Sequence, residues 1–263
     1  MVPNGKSLDF QELRPVGLVR GLATLLFLIA LPVALVTTNV RLAVNSPALY
    51  DYGFDKYDVE LVTGIDRAQL DDAAADLRAY FNDDRALIST LVTDARGQET
   101  PLYTPREVTH LRDVKRLFQW TFRAQELAVA YAIAYVVCVF IWARELSLRA
   151  LAGHIMTSVL IGAGVVAGIG VFALTGFEDA WTEFHKIVFT NDFWLLDPTA
   201  DRLIQMFPEG FWFDATLLIG AMTLAEAGAL FLASAAYLVF ARPRARSSPA
   251  PAGALPSGLH LSA

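Results

Sequence analysis

Four long apolar runs frame the chain. Twenty uncharged residues separate Arg20 from Arg41, 17 separate Glu126 from Arg144, and 28 separate Arg149 from Glu178. A fourth run of 27 residues, Ala215 to Ala241, is broken only by Glu226. About 20 apolar residues cross a bilayer as a helix. The first, third and fourth runs suffice, and the second does if the amphipathic segment ahead of it extends its helix. Transmembrane helices are therefore predicted at 19–41, 124–143, 150–176 and 215–241.

Between the runs the pattern changes. In DRAQLDDAAADLRAYF, Leu70, Ala74, Leu77 and Phe81 recur at helical spacing and mark one face. LISTLVT at 87–93 is strand-like, and DARGQE with PLYT reads as its turn and return. TPREVTHLRDVKRLFQW opens with a capping box: Thr104 caps, Pro105 takes the first helical position, and Glu107 sits three after the cap. This predicts an amphipathic helix over 105–123 that runs toward the second span. In FEDAWTEFHKIVF, Trp181, His185, Val188 and Phe189 share a face, and Asp197 with Pro198 read as the start of a short helix ending before Pro208.

The fold class is an all-α membrane protein. Four transmembrane helices carry two extracytoplasmic segments, 42–123 and 177–214, the first with room for a small α/β element. A composition of 55% hydrophobic and 18% charged residues agrees. Charge then orients the chain. Lys6, Arg14 and Arg20 lie in the tail 1–18 and its junction, Arg144 and Arg149 in the loop 144–149, and Arg242, Arg244 and Arg246 in the tail 242–263. The two longer segments are net acidic. Lys and Arg favour the cytoplasmic side, so both termini are expected inside a cell membrane, with the first span an uncleaved anchor. The net charge of −6 hides this separation of sign and argues against nucleic acid. The Pro/Ala/Ser-rich tail 242–263 reads as disordered.

Candidate chemistry falls in the two outer segments. Ten aromatics crowd 177–214, from Phe177 to Phe213, as suits a lid at headgroup depth. Of four histidines, His260 lies in the tail and His154 near the inner end of the third span, where it reads as structural. His110 and His185 remain, both outside and each close to a span. Glu107, His110 and Asp113 are three apart on one face, and a carboxylate beside a histidine orients its ring. His185 is expected on an apolar face, where burial favours the neutral base. The single cysteine, Cys138, reads as a packing residue, and Glu226 as an acid near mid-bilayer that stays protonated or bonds the third span through Thr157 or Ser158.

Three stretches carry a resemblance. YDYGFDKYD at 50–58, EVTHLRDVKRL at 107–117 and FHKIVFTNDFWLLDPTADRLIQMFPEGFW at 184–212 together resemble a family of four-span bacterial integral membrane proteins. Its characterised activity is that of the lipoprotein intramolecular transacylase. The resemblance implies a membrane acyltransferase at the outer face. It would move the sn-2 acyl chain of a lipoprotein's diacylglyceryl group to the amine of the N-terminal cysteine. The implied substrate is a diacylated lipoprotein among membrane lipids, and no nucleotide, metal or other cofactor is needed. One of His110 and His185 would be the base for the amine and the other the acid for the leaving alkoxide, in either order. Asn191 would bond the developing oxyanion, with Asp192 and Trp194 supporting. Two other readings stay open: a non-catalytic lipid- or lipoprotein-binding subunit, and a metal-dependent hydrolase drawing on His110, His185 and Asp113 or Asp192.

Overall fold

The computed structural model describes residues 13–94, 96–142 and 145–241. The expected tail disorder over 242–263, His260, and most of the expected inner tail 1–18 lie outside the described residues. Helix α1 spans Leu13–Asn45. Three shorter helices follow: α2 over Pro47–Lys56, α3 over Val59–Thr63 and α4 over Arg67–Asn82. A two-stranded antiparallel hairpin, β1 Leu91–Thr93 with β2 Glu99–Pro101, precedes the 38-residue α5, Pro105–Trp142. Helix α6 covers Glu145–Val188, α7 Arg202–Met206 and α8 Glu209–Phe240. Four of these, α1, α5, α6 and α8, are long and apolar enough to cross a membrane. The chain is a multi-pass helical membrane protein.

The long helices pack around α1, which touches α5, α6 and α8, while α6 lies along α8. Pro32 inside α1 is seated on Gly162 of α6, where an added Cβ would stand 2.7 Å from the proline ring. Asn39 of α1 is wholly buried and its amide donates to Thr223 (3.1 Å) and Glu226 (2.9 Å) of α8. Glu226 thus pairs with α1 and not with Thr157 or Ser158; Ser158 instead donates to the carbonyl of Leu28. Cys138 also departs from expectation, since it is exposed on α5 and not packed between helices.

Helices α5, α6 and α8 run well past their apolar stretches at one end. Thr104 and Glu107 exchange the reciprocal bonds of the capping box, Thr104 N to Glu107 Oε2 at 2.6 Å and Glu107 N to Thr104 Oγ1 at 3.3 Å. From that start α5 continues unbroken into its apolar half, because nothing between Trp120 and Trp142 stops it. Helix α6 bends at Gly176 and carries twelve further residues to Val188. Around these ends the small helices form a second core. The apolar face of α4, with Leu70, Leu77, Tyr80 and Phe81, packs with Val59, Tyr103, Leu111, Met206 and Phe211. The turn from α2 to α3 puts Asp58 in the left-handed region at φ 49, which short polar side chains tolerate. The short helix expected from Asp197 begins later, with Asp201 as the residue before α7. Residues 197–200 form a turn in which the Asp197 carboxylate accepts from Thr199 (2.8 Å).

Candidate active site

Beyond the apolar stretches, α5 and α6 bring His110 and His185 together. Their rings lie 6.0 Å apart, centroid to centroid, though 75 positions separate them in sequence. Each is only 7% exposed. Both line one cavity of about 310 Å³, roofed by aromatics and floored by Val40 and Val44 of α1 and Ile219 of α8.

The packing of His185 is aromatic on every side. Trp181 meets it edge-on at 4.7 Å, Trp194 lies tilted at 5.1 Å, and Phe184 and Phe189 stand at 5.4 and 5.5 Å. Its Nδ1 is 2.7 Å from the carbonyl oxygen of Trp181. A carbonyl only accepts, so Nδ1 carries the proton and the lone pair sits on Nε2. Burial pulls this imidazole below its usual 6.5, against the opposing pull of the Trp181 carbonyl. For His110 burial acts more strongly and lowers it to about 4, with the neighbouring His185 adding to the effect and Asp113 opposing it. His110 Nδ1 is buried without a hydrogen-bond partner. An orphaned lone pair is tolerated better than an orphaned N–H, so the neutral ring holds its proton on Nε2.

The carboxylates expected beside the histidines do other work. Glu107 is wholly buried, and its two oxygens accept from Thr104 N and from Leu203 N, each at 2.6 Å. It orients no imidazole; it ties the start of α5 to α7. Asp113 Oδ2 accepts from the Asn191 amide at 2.9 Å, and the Asn191 oxygen takes Phe193 N at 3.1 Å. Asn191 thus ties its own loop to Asp113 on α5, with one of its two amide N–H donors used in doing so. Asp192 contributes its main-chain carbonyl, to Arg106 at 2.7 Å. Arg106, Glu107 and Asp113 therefore clamp the 191–203 loop to α5 and hold Trp194 over His185. Lys115, further along α5, is buried against Tyr80 and bonds Asp83 (3.0 Å) and the Arg85 carbonyl (2.7 Å). Among the described residues no three His, Cys, Asp or Glu side chains converge as a metal site requires.

Sequence reading missed Glu209, which lines the cavity together with Trp212, one of the aromatics of 177–214. Glu209 follows Pro208 at the start of α8 and looks like an ordinary first-turn acid, so no pattern marks it.

The arrangement suits proton transfer between bound organic groups in a water-poor, apolar chamber. Comparisons with known proteins give the fold and the family. In meso structures of the membrane integral lipoprotein intramolecular transacylase Lit from Bacillus cereus share the fold. One aligns with a TM-score of 0.65 and 21% identity, over 85% of this chain and 97% of that one. Two variants of it, with one histidine replaced by arginine or alanine, align at 0.66 and 20% identity, over 87% of this chain and 96% and 97% of theirs. An uncharacterized protein of Aquifex aeolicus (strain VF5) is 28% identical over 121 residues, 46% of this chain. The chain spans about half the length of that curated relative, 51%. The family model described as lipoprotein intramolecular transacylase Lit matches residues 25–212. The chain belongs to the lipoprotein intramolecular transacylase (Lit) family.

Proposed function

We propose that this protein moves the sn-2 acyl chain of a diacylated lipoprotein onto the amine of its N-terminal cysteine, with His110 and His185 as the catalytic pair. The observation that carries this is the pair itself: two buried imidazoles, 6.0 Å apart, lining one largely apolar cavity. His185 Nε2 accepts the proton of the attacking amine as the N–C bond forms. It returns that proton to the glyceryl oxygen as the C–O bond breaks, leaving an amide and a free hydroxyl. His110 Nε2–H donates a hydrogen bond to the oxyanion between those steps. Each contribution is worth about 10²–10³-fold or more. Donor and acceptor belong to one lipid-anchored molecule, so seating it supplies further rate by proximity. The aromatic walls keep out the water that would hydrolyse the ester.

The positions of the charges support a cell-membrane location with 42–123 and 177–214 on the outer side and both termini inside. The histidines then stand on helix ends that project from the outer leaflet, within reach of ester groups.

The test is fragment-ion mass spectrometry of lipoprotein N-termini from a host lacking its own N-acylation, with and without this chain. Total mass is unchanged by the reaction, so fragments must place the acyl chain. The amide and the lyso glyceryl group should appear together only when the chain is present. Lipoproteins left diacylated throughout would sink the reading.

A further inference from the structure

Glu209 is a carboxylate in the wall of an apolar cavity with no role yet assigned. It shares that wall with His110, His185, Trp181 and Trp212. The charge that acts on it is another carboxylate, Glu178 of α6, and burial followed by that repulsion pushes it above the ordinary glutamate value. No cation relieves it among the described residues. An acid in the first turn of a helix gains something from the helix dipole, but that does not require facing a cavity or a second acid.

We propose that Glu209 binds the α-ammonium group of the lipoprotein's N-terminal cysteine at the aromatic side of the cavity. This deepens the transacylase reading and rests on it. A cation between Glu209 and Glu178 would satisfy both carboxylates at once. The aromatic surroundings agree. Trp181 and Trp212, stacked at 5.2 Å, line the same cavity as the acid, and aromatic rings attract ammonium groups. The cavity also holds polar side chains that a polar guest can meet: His110 and His185 line it, each only 7% exposed. An ammonium group offers three donors. Glu209 takes one, and His185 Nε2, the lone pair nearest in role, awaits another. Before attack the group sheds one proton to water, and the reaction as a whole releases that proton. Glu209 therefore selects a free amino terminus and holds it beside the base.

The experiment is equilibrium binding of a synthetic dipalmitoylglyceryl-cysteinyl peptide to the full chain in nanodiscs. One ligand has a free amine and the other is N-acetylated. A His185→Ala background keeps the ligand from being consumed. At pH 6.5 the free-amine ligand is expected to bind about tenfold more tightly, as a charged hydrogen bond implies. Glu209→Gln should erase that preference while leaving affinity for the capped ligand unchanged, which also shows the variant folded. Glu209→Asp should keep most of it. Equal affinity for both ligands, or a preference that survives Glu209→Gln, overturns the proposal. Turnover is read separately in the His185-containing chain, where Glu209→Gln should raise KM with little change in kcat; absence of turnover there counts against the transacylase reading, while the binding preference still decides the role of Glu209.

Discussion

The Glu107 carboxylate accepts the backbone N–H of Leu203 at 2.6 Å, across 96 positions of sequence. The same side chain completes the cap of α5 through Thr104 N. Replacing it with alanine leaves a buried N–H unpaired and removes two charge-assisted bonds. The expected loss is about 3 kcal/mol, seen as a lower thermal midpoint in detergent. Trypsin should also cut faster after Arg202, because the loop loses one of its clamps. Glu107→Gln should lose less, about 1 kcal/mol, since one acceptor oxygen remains.

His110→Ala and His185→Ala should each lower transacylation by about 10²-fold or more. The double variant should be scarcely worse than the poorer single, because the two rings act in one step. The readout is initial rate of lyso product by fragment-ion mass spectrometry. Additive losses would show that the rings work independently.

Burial lowers both imidazoles, His110 to about 4. An unfolded chain titrates its histidines near ~6.5. Between those values the unfolded state binds more protons than the folded one, so stability falls as pH drops through that window and is flat above it. The thermal midpoint should fall between pH 7.5 and pH 5, and fall less in His110→Gln. For the reaction, burial keeps the base neutral to lower pH than a solvated imidazole. The logarithm of kcat/KM should therefore rise with unit slope until the substrate amine loses its proton near ~8. A break near 6.5 would mean that an imidazole titrates there as it does in water.

Gly53 of α2 sits against Phe211 of α8, which lines the cavity; an added Cβ would stand 2.6 Å from the ring. Gly53→Ala must push the ring aside or tilt α2, at a cost of about 1–3 kcal/mol. Transacylation should fall as well, since the displaced ring enters the chamber. Gly153→Ala, with nothing within 4 Å of the new atom, is the control.

Orientation is tested by a single thiol. With Cys138 replaced by alanine, Asp84→Cys places a thiol on an exposed turn after α4. Asn82 is less suitable, since its amide bonds Asn45 at 2.7 Å. An impermeant maleimide should label Cys at position 84 in intact spheroplasts. Labelling only after lysis would put both histidines on the cytoplasmic side and remove the lipoprotein from reach.

Much of this architecture was legible because membrane helices announce themselves by composition. The start of α5 was legible too, since a capping box is a local signal. The histidine pair emerged from side and depth, before any contact was known. What stayed hidden was tertiary. Glu107 and His110 share a helical face, yet the carboxylate turns to the buried N–H of Leu203 on α7 and to Thr104 N at the start of its own helix. Asn191 likewise spends its amide on Asp113. Glu226 found Asn39 on α1, a partner that no spacing within α8 predicts. Asp197 did not start α7, because its carboxylate was captured by its own turn, leaving Asp201 to precede the helix. For Glu107, Asn191 and Glu226 the choice among partners was made by chain distant in sequence; for Asp197 it was made by its own turn.

The bond from His185 Nδ1 to the carbonyl of Trp181 has a consequence for how this site can change over generations. The oxygen that fixes the ring is part of the main chain, and every amino acid supplies the same one. No substitution at position 181 deletes it. A scan for a third side chain completing a triad would come back empty, and variants at 181 would report only on the indole packing. The tautomer of the reacting ring is inherited with the helical path of α6 from Trp181 to His185. Drift among neighbouring side chains can then reshape the chamber for a different lipid without disturbing the base.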